Sequence, residues 1–264
     1  MTRPRDKRVH RRHPGPKEKG AGLWLYGLHA VKAALTNPAR KLTRAVVTDR
    51  AGGEIGAGLL GRVHHETANA EAIGRLLPPG AVHQGAALLC EPLPRLDLSE
   101  VLGTPVRDAA RQPIANRRVV LVLDQISDPH NVGAILRSAA AFGVSAVVVQ
   151  DRHAPPESGV LAKAASGALD IVPYVQAVNI ARALDELAEL DFWRVALTGD
   201  GDRSLKDAVS AGDVAIVLGS EGSGLRRLVR ERCDTSTTIP IDAQMESLNV
   251  SNAAAIALYE IRRG

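Results

Sequence analysis

The stretch Val214-Ala215-Ile216-Val217-Leu218-Gly219-Ser220-Glu221-Gly222-Ser223-Gly224 decides the fold class. Its first five residues are apolar without alternation, the pattern of a strand covered on both faces. Three glycines in the next six residues let the backbone turn sharply and pass close to a neighbour or ligand before a helix-like run over residues 225–233. Working outward, short β-rich runs recur at residues 119–123, 146–149, 171–175, 193–197 and 237–239, with helical periodicity between them, clearest at 131–141 and 180–190. Buried strands alternating with helices predict an α/β domain over residues 117–264, built on a parallel sheet covered on both faces.

A smaller α/β domain is expected over residues 21–95. It holds a helix at 28–35 that stops before Asn37-Pro38, a strand at 42–49, a helix at 70–77 ended by Pro78-Pro79-Gly80, and a strand at 86–91. Residues 96–116, with Pro105, Pro113 and scattered charge, read as a linker with room for one helical turn. Residues 1–20 carry eight Lys or Arg against Asp6 and Glu18, so this segment holds +6 and the rest of the chain −2 of the overall +4. Three prolines and almost no apolar side chains make it a basic tail expected to be disordered.

Composition and motifs exclude several classes. No run of eighteen apolar residues occurs and no hydrophobic stretch follows the basic start, so a soluble, cytoplasmic protein without membrane span or secretory signal is expected. Cys90 and Cys233 are not in metal-ligand spacing; both read as reduced packing residues, and no metal is expected. Neither GxxxxGK[ST], nor GxGxxG after the first strand, nor a GxSxG elbow is present, which disfavours an NTPase, a dinucleotide-binding dehydrogenase and a serine hydrolase. The glycine loop after residue 218 therefore reads either as a tight strand-to-helix turn or as a different kind of ligand cradle.

Two segments accompany this loop. One is Asp128-Pro129-His130-Asn131-Val132-Gly133-Ala134-Ile135-Leu136-Arg137-Ser138; the other, following Ile239-Pro240-Ile241, is Ser247-Leu248-Asn249-Val250-Ser251-Asn252. In this order and spacing the three resemble the signature motifs of the SpoU/TrmH (SPOUT) family of RNA ribose 2'-O-methyltransferases. More loosely, Gly27-Leu28-His29-Ala30-Val31 and His83-Gln84-Gly85 resemble the accessory RNA-binding domain of members acting on 23S ribosomal RNA. The resemblance implies S-adenosyl-L-methionine as cofactor, RNA as partner with no DNA and no membrane, a homodimer, and a deep trefoil knot that periodicity alone would not propose. It implies 2'-O-methylation of a ribose in 23S rRNA, most simply of a guanosine. A transfer RNA substrate, or a non-catalytic RNA-binding protein on the same fold, is the alternative. In this light the tail is either an electrostatic arm for RNA phosphates or a solubilising leader.

By the same resemblance, Gly219, Gly224, Ile239 and Leu248 hold the cofactor, mostly through main-chain groups, while Asn131, Arg137, Glu221, Ser247 and Asn249 occupy the catalytic positions. The reaction needs such residues because a ribose hydroxyl is a poor nucleophile until its proton is partly removed. Arg137 follows Asn131 by six residues on one expected helix, and the two are expected to project toward one side. A guanidinium stays protonated, so Arg137 reads as a phosphate clamp and alkoxide stabiliser, with the phosphate, a water or Glu221 receiving the proton. Ordinary roles exist beside these: Glu221 can complement a helix dipole, and Ser247 and Asn249 can cap the apolar helix at 253–261. That helix is the candidate dimer face through Ala253, Ala254, Ala255, Ile256, Leu258 and Ile261, with packing inside its own domain as the alternative. His130 is the histidine nearest this chemistry. Lys163, in Ala162-Lys163-Ala164-Ala165-Ser166-Gly167-Ala168, reads either as an RNA contact or as part of a solvated helix face.

Overall fold

A computed structural model of the 264-residue chain describes residues 22–103, 117–201, 203–209 and 212–263. The basic tail and most of the expected linker lie outside the described residues. The first unit runs β1 (Leu23–Tyr26), α1 (Leu28–Thr36), β2 (Leu42–Val47), α2 (Asp49–Ile55), α3 (Ala57–Leu60), β3 (His64–Thr67), α4 (Ala70–Arg75) and β4 (Ala86–Cys90). Its strands lie in the order β1-β4-β2-β3, with only the β2–β3 pair parallel. Strand β2 ends earlier than expected because Thr48 Oγ1 accepts from the Ala51 amide at 3.2 Å and caps α2. The pair Gly52-Gly53 hides that helix from a reading of propensity.

Within the stretch expected as linker, α5 (Leu98–Leu102) forms, and Leu98 and Leu102 are buried in the core beneath the large sheet. This part of the stretch is therefore packed body. The second unit continues with β5 (Val119–Asp124), α6 (Pro129–Ala141), β6 (Ala146–Gln150), α7 (Gly159–Ala164), a 3-10 turn (Ala168–Asp170), β7 (Tyr174–Ala177) and α8 (Ile180–Glu189). It ends with β8 (Trp193–Leu197), β9 (Arg203–Ser204), α9 (Leu205–Ala208), β10 (Val214–Gly219), α10 (Arg227–Arg230), β11 (Thr235–Thr238) and α11 (Val250–Arg263). All seven strands are parallel, in the order β7-β6-β5-β10-β8-β11-β9, as the α/β reading requires. Strand β7 begins at Tyr174 rather than residue 171, since Pro173 has no amide proton for the ladder.

Both faces of the sheet are covered, with the two-residue period of a strand. Val119, Leu121 and Leu123 of β5 and Val214, Ile216 and Leu218 of β10 enter one core, while Val120, Val122, Ala215 and Val217 enter the other. The first core is shared between the units, joining Leu25, Leu35 and Leu88 to Leu121, Leu136 and Leu161. A Cβ on Gly159 would lie 2.4 Å from the Tyr26 ring and 2.5 Å from the Trp24 carbonyl oxygen, so the units meet there at backbone distance. Beside this contact Arg40, its side chain 0% exposed, donates to Asp170 at 2.9 Å, to the Glu91 carbonyl at 3.2 Å, and to Glu157.

Helix α11 corrects part of the expected dimer face. Ala254, Leu258 and Ile261 are buried in the chain's own core; Ile256 of the expected face is exposed, and Tyr259 joins it.

Candidate active site

Three elements bring the site together at the carboxyl end of the sheet, where parallel α/β folds place their ligands. At the end of β5, the Asp128 side chain accepts from the His130 amide at 2.9 Å and caps α6, with Pro129 in its first turn. This cap fixes Asn131 on the first turn of α6. Next to β5 in the sheet, β10 ends at Gly219 and opens the glycine loop. The third element is the start of α11, which carries Asn249.

Asn131, Glu221 and Asn249 meet here. Asn249 Nδ2 donates to Glu221 Oε1 at 2.9 Å and to Asn131 Oδ1 at 3.0 Å; Asn131 Nδ2 donates to Glu221 Oε1 at 3.3 Å. The Val250 amide donates to the same Glu221 oxygen at 3.3 Å, so Oε1 serves as an anchor. Asn249 also caps its helix: its Oδ1 accepts from the Ser251 amide at 2.9 Å and from Ser251 Oγ at 2.6 Å. The capping role and the site role thus use opposite ends of one amide.

The glycine loop folds on itself. Gly224 N–H donates to the Ser220 carbonyl at 3.0 Å, and the Ser220 and Ser223 hydroxyls lie 2.6 Å apart. Gly224 has φ +64, a conformation glycine adopts without a steric penalty. A Cβ on Gly219 would lie 2.2 Å from the Gly224 carbonyl carbon, so the absence of a side chain at 219 is first a requirement of the loop itself. Sequence reasoning missed the strut that holds the loop's far end. Asp124, 0% exposed at the end of β5, accepts from the Arg226 amide at 3.0 Å, from Nε at 2.9 Å and from Nη2 at 2.6 Å. The signal was a carboxylate ending the apolar run of residues 119–123.

The loop walls a cavity of about 550 Å³ that gathers Gly219, Gly224, Ile239 and Leu248, the four expected cofactor residues, together with Glu221 and Ser247. Its walls are apolar at Leu197, Leu218, Leu225 and Val250, and its rim carries Asp200, Asp242 and Glu246 against Arg230. Asp200 accepts from Arg230 Nη1 at 2.9 Å, and this contact holds its carboxyl below the ordinary range. An apolar slot beneath a mostly acidic rim suits a flat heterocycle joined to a positively charged centre. A larger cleft of about 900 Å³ lies between the two units and holds none of the expected site residues. Among the described residues no group of three metal-ligating side chains occurs.

Arg137 stands apart. Six residues turn an α-helix through about 600°, which leaves Arg137 about 120° around from Asn131. The expected common projection fails on this geometry: Asn131 joins the polar cluster, whereas Arg137 is exposed and has no hydrogen-bond or ion-pair partner among the described residues. Ser247 lines the cavity and is likewise exposed. His130 is exposed, and its amide rather than its ring is engaged by Asp128.

The sequence matches the SpoU rRNA Methylase family over residues 118–259. It is 36% identical over 249 residues to the 23S rRNA (guanosine-2'-O-)-methyltransferase RlmB of Coxiella burnetii, an alignment covering 90% of this chain and 94% of that one. The protein of the same name from Vibrio cholerae is 36% identical over 247 residues, covering 90% and 96%. Among solved structures, an RNA 2'-O ribose methyltransferase superposes with a TM-score of 0.69 at 28% identity over 91% of this chain and 87% of that one. The SpoU methyltransferase AviRb of Streptomyces viridochromogenes, in complex with AdoMet, shares the fold with a TM-score of 0.74 at 22% identity over 92% and 90%. Motifs, fold and relatives agree, and the chain belongs to the SpoU rRNA methylase family.

Proposed function

We propose that this chain transfers a methyl group from S-adenosylmethionine to the ribose 2'-hydroxyl of a guanosine in 23S ribosomal RNA. The observation that carries the proposal is the meeting of Asn131, Glu221 and Asn249, drawn from three separate motifs, beside the cavity walled by the glycine loop. The RlmB relatives, aligned over 90% of the chain, bear that reaction in their names. Gly219, Gly224, Ile239 and Leu248 would hold the cofactor, whose apolar and cationic parts fit the cavity walls and acidic rim. When bound, it supplies the reactive methyl group.

The chain's own task is to orient the ribose and manage one proton. Arg137 binds a backbone phosphate next to the reacting ribose and stabilises the developing alkoxide. The 2'-hydroxyl proton, released as the oxygen takes the methyl group, passes to that phosphate, to water, or to Glu221 Oε2, the carboxylate oxygen outside the Oε1 anchor. Asn131 and Asn249 hold Glu221 in place, and Ser247 faces the cavity as a further contact.

The working unit is a cytoplasmic homodimer with a site completed across the interface. Two features support this: Arg137, exposed and without a partner among the described residues, lies about 120° around α6 from Asn131, and α11 exposes Ile256 and Tyr259 one turn apart. A second copy docked on this face would bring its arginine to the cluster through an isologous contact. The last segments, from the glycine loop through β11 to α11, form a deep trefoil knot; the insertion of β10 between β5 and β8, with α11 returning onto α6, supports this reading.

The test is to incubate the protein with labelled S-adenosylmethionine and total RNA from a strain lacking it, then map the alkali-resistant ribose. Label at one guanosine of 23S rRNA is expected. Label in transfer RNA would change the substrate, and no label in any RNA would leave an RNA-binding protein.

A further inference from the structure

Lys163 does not behave as a lysine on a solvated helix face. From α7 of the large unit it reaches across to the small one, where its Nζ donates to Gln84 Oε1 at 2.5 Å. The same oxygen lies 3.4 Å from the Leu28 amide. The stem lies over Gly27, where a Cβ would be 2.7 Å from Lys163 Cδ and 2.8 Å from Nζ. Gly27 has φ +95 and Gln84 has φ 53, so both loops turn through positive φ beside the side chain. The motifs around Gly27 and Gln84 in the small unit therefore meet the Lys163 motif of the large one at a single ammonium.

That ammonium has no carboxylate partner among the described residues, and its only hydrogen-bond acceptor is a neutral amide. Burial alone lowers its pKa, with no acidic neighbour opposing the shift. Helix α1, whose Leu28 amide approaches the same Gln84 oxygen, adds an exposed lysine and an exposed histidine. His29 and Lys32, three residues apart on the exposed face of α1, carry no ion-pair partner among the described residues. Gly167, eight residues from Gly159 in the same segment, brings that helix close: a Cβ there would lie 3.0 Å from the His29 carbonyl oxygen. By contrast, Arg40 at the other end of the same domain contact is neutralised by Glu157 and Asp170. One end of the seam is a closed ion cluster, and the other presents uncompensated positive charge.

We infer that the seam formed by Lys163, Gln84, His29 and Lys32 binds an RNA backbone phosphate, so that both units grip one continuous stretch of the substrate. The inference rests on the RNA-methylating function proposed above. An incoming phosphate exchanges the neutral amide for an anionic acceptor, so that both partners of the hydrogen bond are charged. The site is preformed because Arg40 and the glycine contacts at 159 and 167 fix the two units against each other.

The experiment measures the affinity of the full chain for unmodified 23S rRNA, transcribed in vitro, across a salt series. Lys163→Met keeps the stem over Gly27 and removes the charge; Lys163→Arg keeps the charge. Lys163→Met is expected to reduce the magnitude of the log K against log salt slope by about 0.7 to 0.9, the value of one phosphate contact. Lys163→Arg is expected to retain the wild-type slope, and donor affinity should be equal in all three proteins. A wild-type slope in Lys163→Met, or equal loss in Lys163→Arg, would overturn the inference and leave Lys163 as a domain-packing residue. Methyl transfer to the same transcript is read separately. Its absence in the wild type would overturn the substrate reading, while the slopes, taken from binding alone, still decide the phosphate site.

Discussion

Two polar clusters organise this chain, and burial separates them. Arg40 lies between Glu157 and Asp170 with its side chain 0% exposed and that of Asp170 1% exposed, whereas Asn131, Glu221 and Asn249 meet beside an open cavity. A buried guanidinium between two carboxylates is committed to structure, because removing one partner strands a charge away from water. The open cluster holds one carboxylate with two amides and leaves the second carboxylate oxygen outside its anchor. A buried ion cluster thus ties the two units together beside their shared apolar core, and exchangeable hydrogen bonds hold the proposed catalytic cluster.

The largest effect should come from breaking the buried cluster. Arg40→Ala leaves Glu157 and Asp170 facing each other without their cation and is expected to lower stability by about 3 to 5 kcal/mol in denaturant unfolding. Donor binding by the fraction that stays folded should be unchanged, since Arg40, Glu157 and Asp170 do not line the cavity. A loss nearer 1 kcal/mol would mean that the two clusters differ in exposure but not in kind.

At Arg137, which stands apart from both clusters, the effect should fall on rate. Arg137→Ala is expected to slow methyl transfer about 10²- to 10³-fold, the size seen when a group stabilising a developing oxyanion is removed. Calorimetry should find donor affinity nearly intact, because Arg137 is outside the residues lining the cavity. Single-turnover rates near those of the wild type would sink its assignment.

The strut behind the glycine loop lies between these extremes. Arg226→Ala removes two charge-assisted hydrogen bonds to Asp124 but leaves the backbone amide contact, so the loop keeps one of three ties. Donor binding is expected to weaken by about 1.5 to 3 kcal/mol, the range for hydrogen bonds to charged groups. If affinity holds while stability drops, the strut serves the sheet rather than the loop.

Legibility in the sequence follows the same division. The parallel sheet was readable because apolar runs such as residues 119–123 and 214–218 lack alternation, and the loop because three glycines follow one of them. Asn131, Glu221 and Asn249 were legible as motif positions, though their mutual contacts join residues up to 118 apart. The Arg40 cluster was invisible: its acids lie 117 and 130 residues downstream in unremarkable segments, and no local pattern marks a charge that will be buried. Asp124 was missed for the related reason that a carboxylate at a strand end looks like ordinary solvation until Arg226 is brought against it. Helix α2 was missed because Gly52 and Gly53 oppose helical propensity, and the cap at Thr48 with burial of Ala51 and Ile55 outweighs them.

The smallest expected change in stability gives the sharpest separation of roles, and it concerns Asn249. Its Oδ1 caps α11 through Ser251, while its Nδ2 ties Glu221 to Asn131. Asn249→Asp retains an oxygen for the cap, and aspartate and asparagine cap helices about equally well, so unfolding should shift by only a few tenths of a kcal/mol from this source. The new carboxylate cannot donate to Glu221 and places like charge beside it, so the cluster should open and methyl transfer should fall well below that of the wild type. Asn249→Ala loses both functions and should cost about 1 kcal/mol in stability in addition to activity. Comparing the two variants by thermal unfolding and by turnover separates the ends of the amide. Full activity in Asn249→Asp would show that the tie to Glu221 is dispensable and that Asn249 serves the fold as a helix cap, placing it with Arg40 on the structural side of the divide.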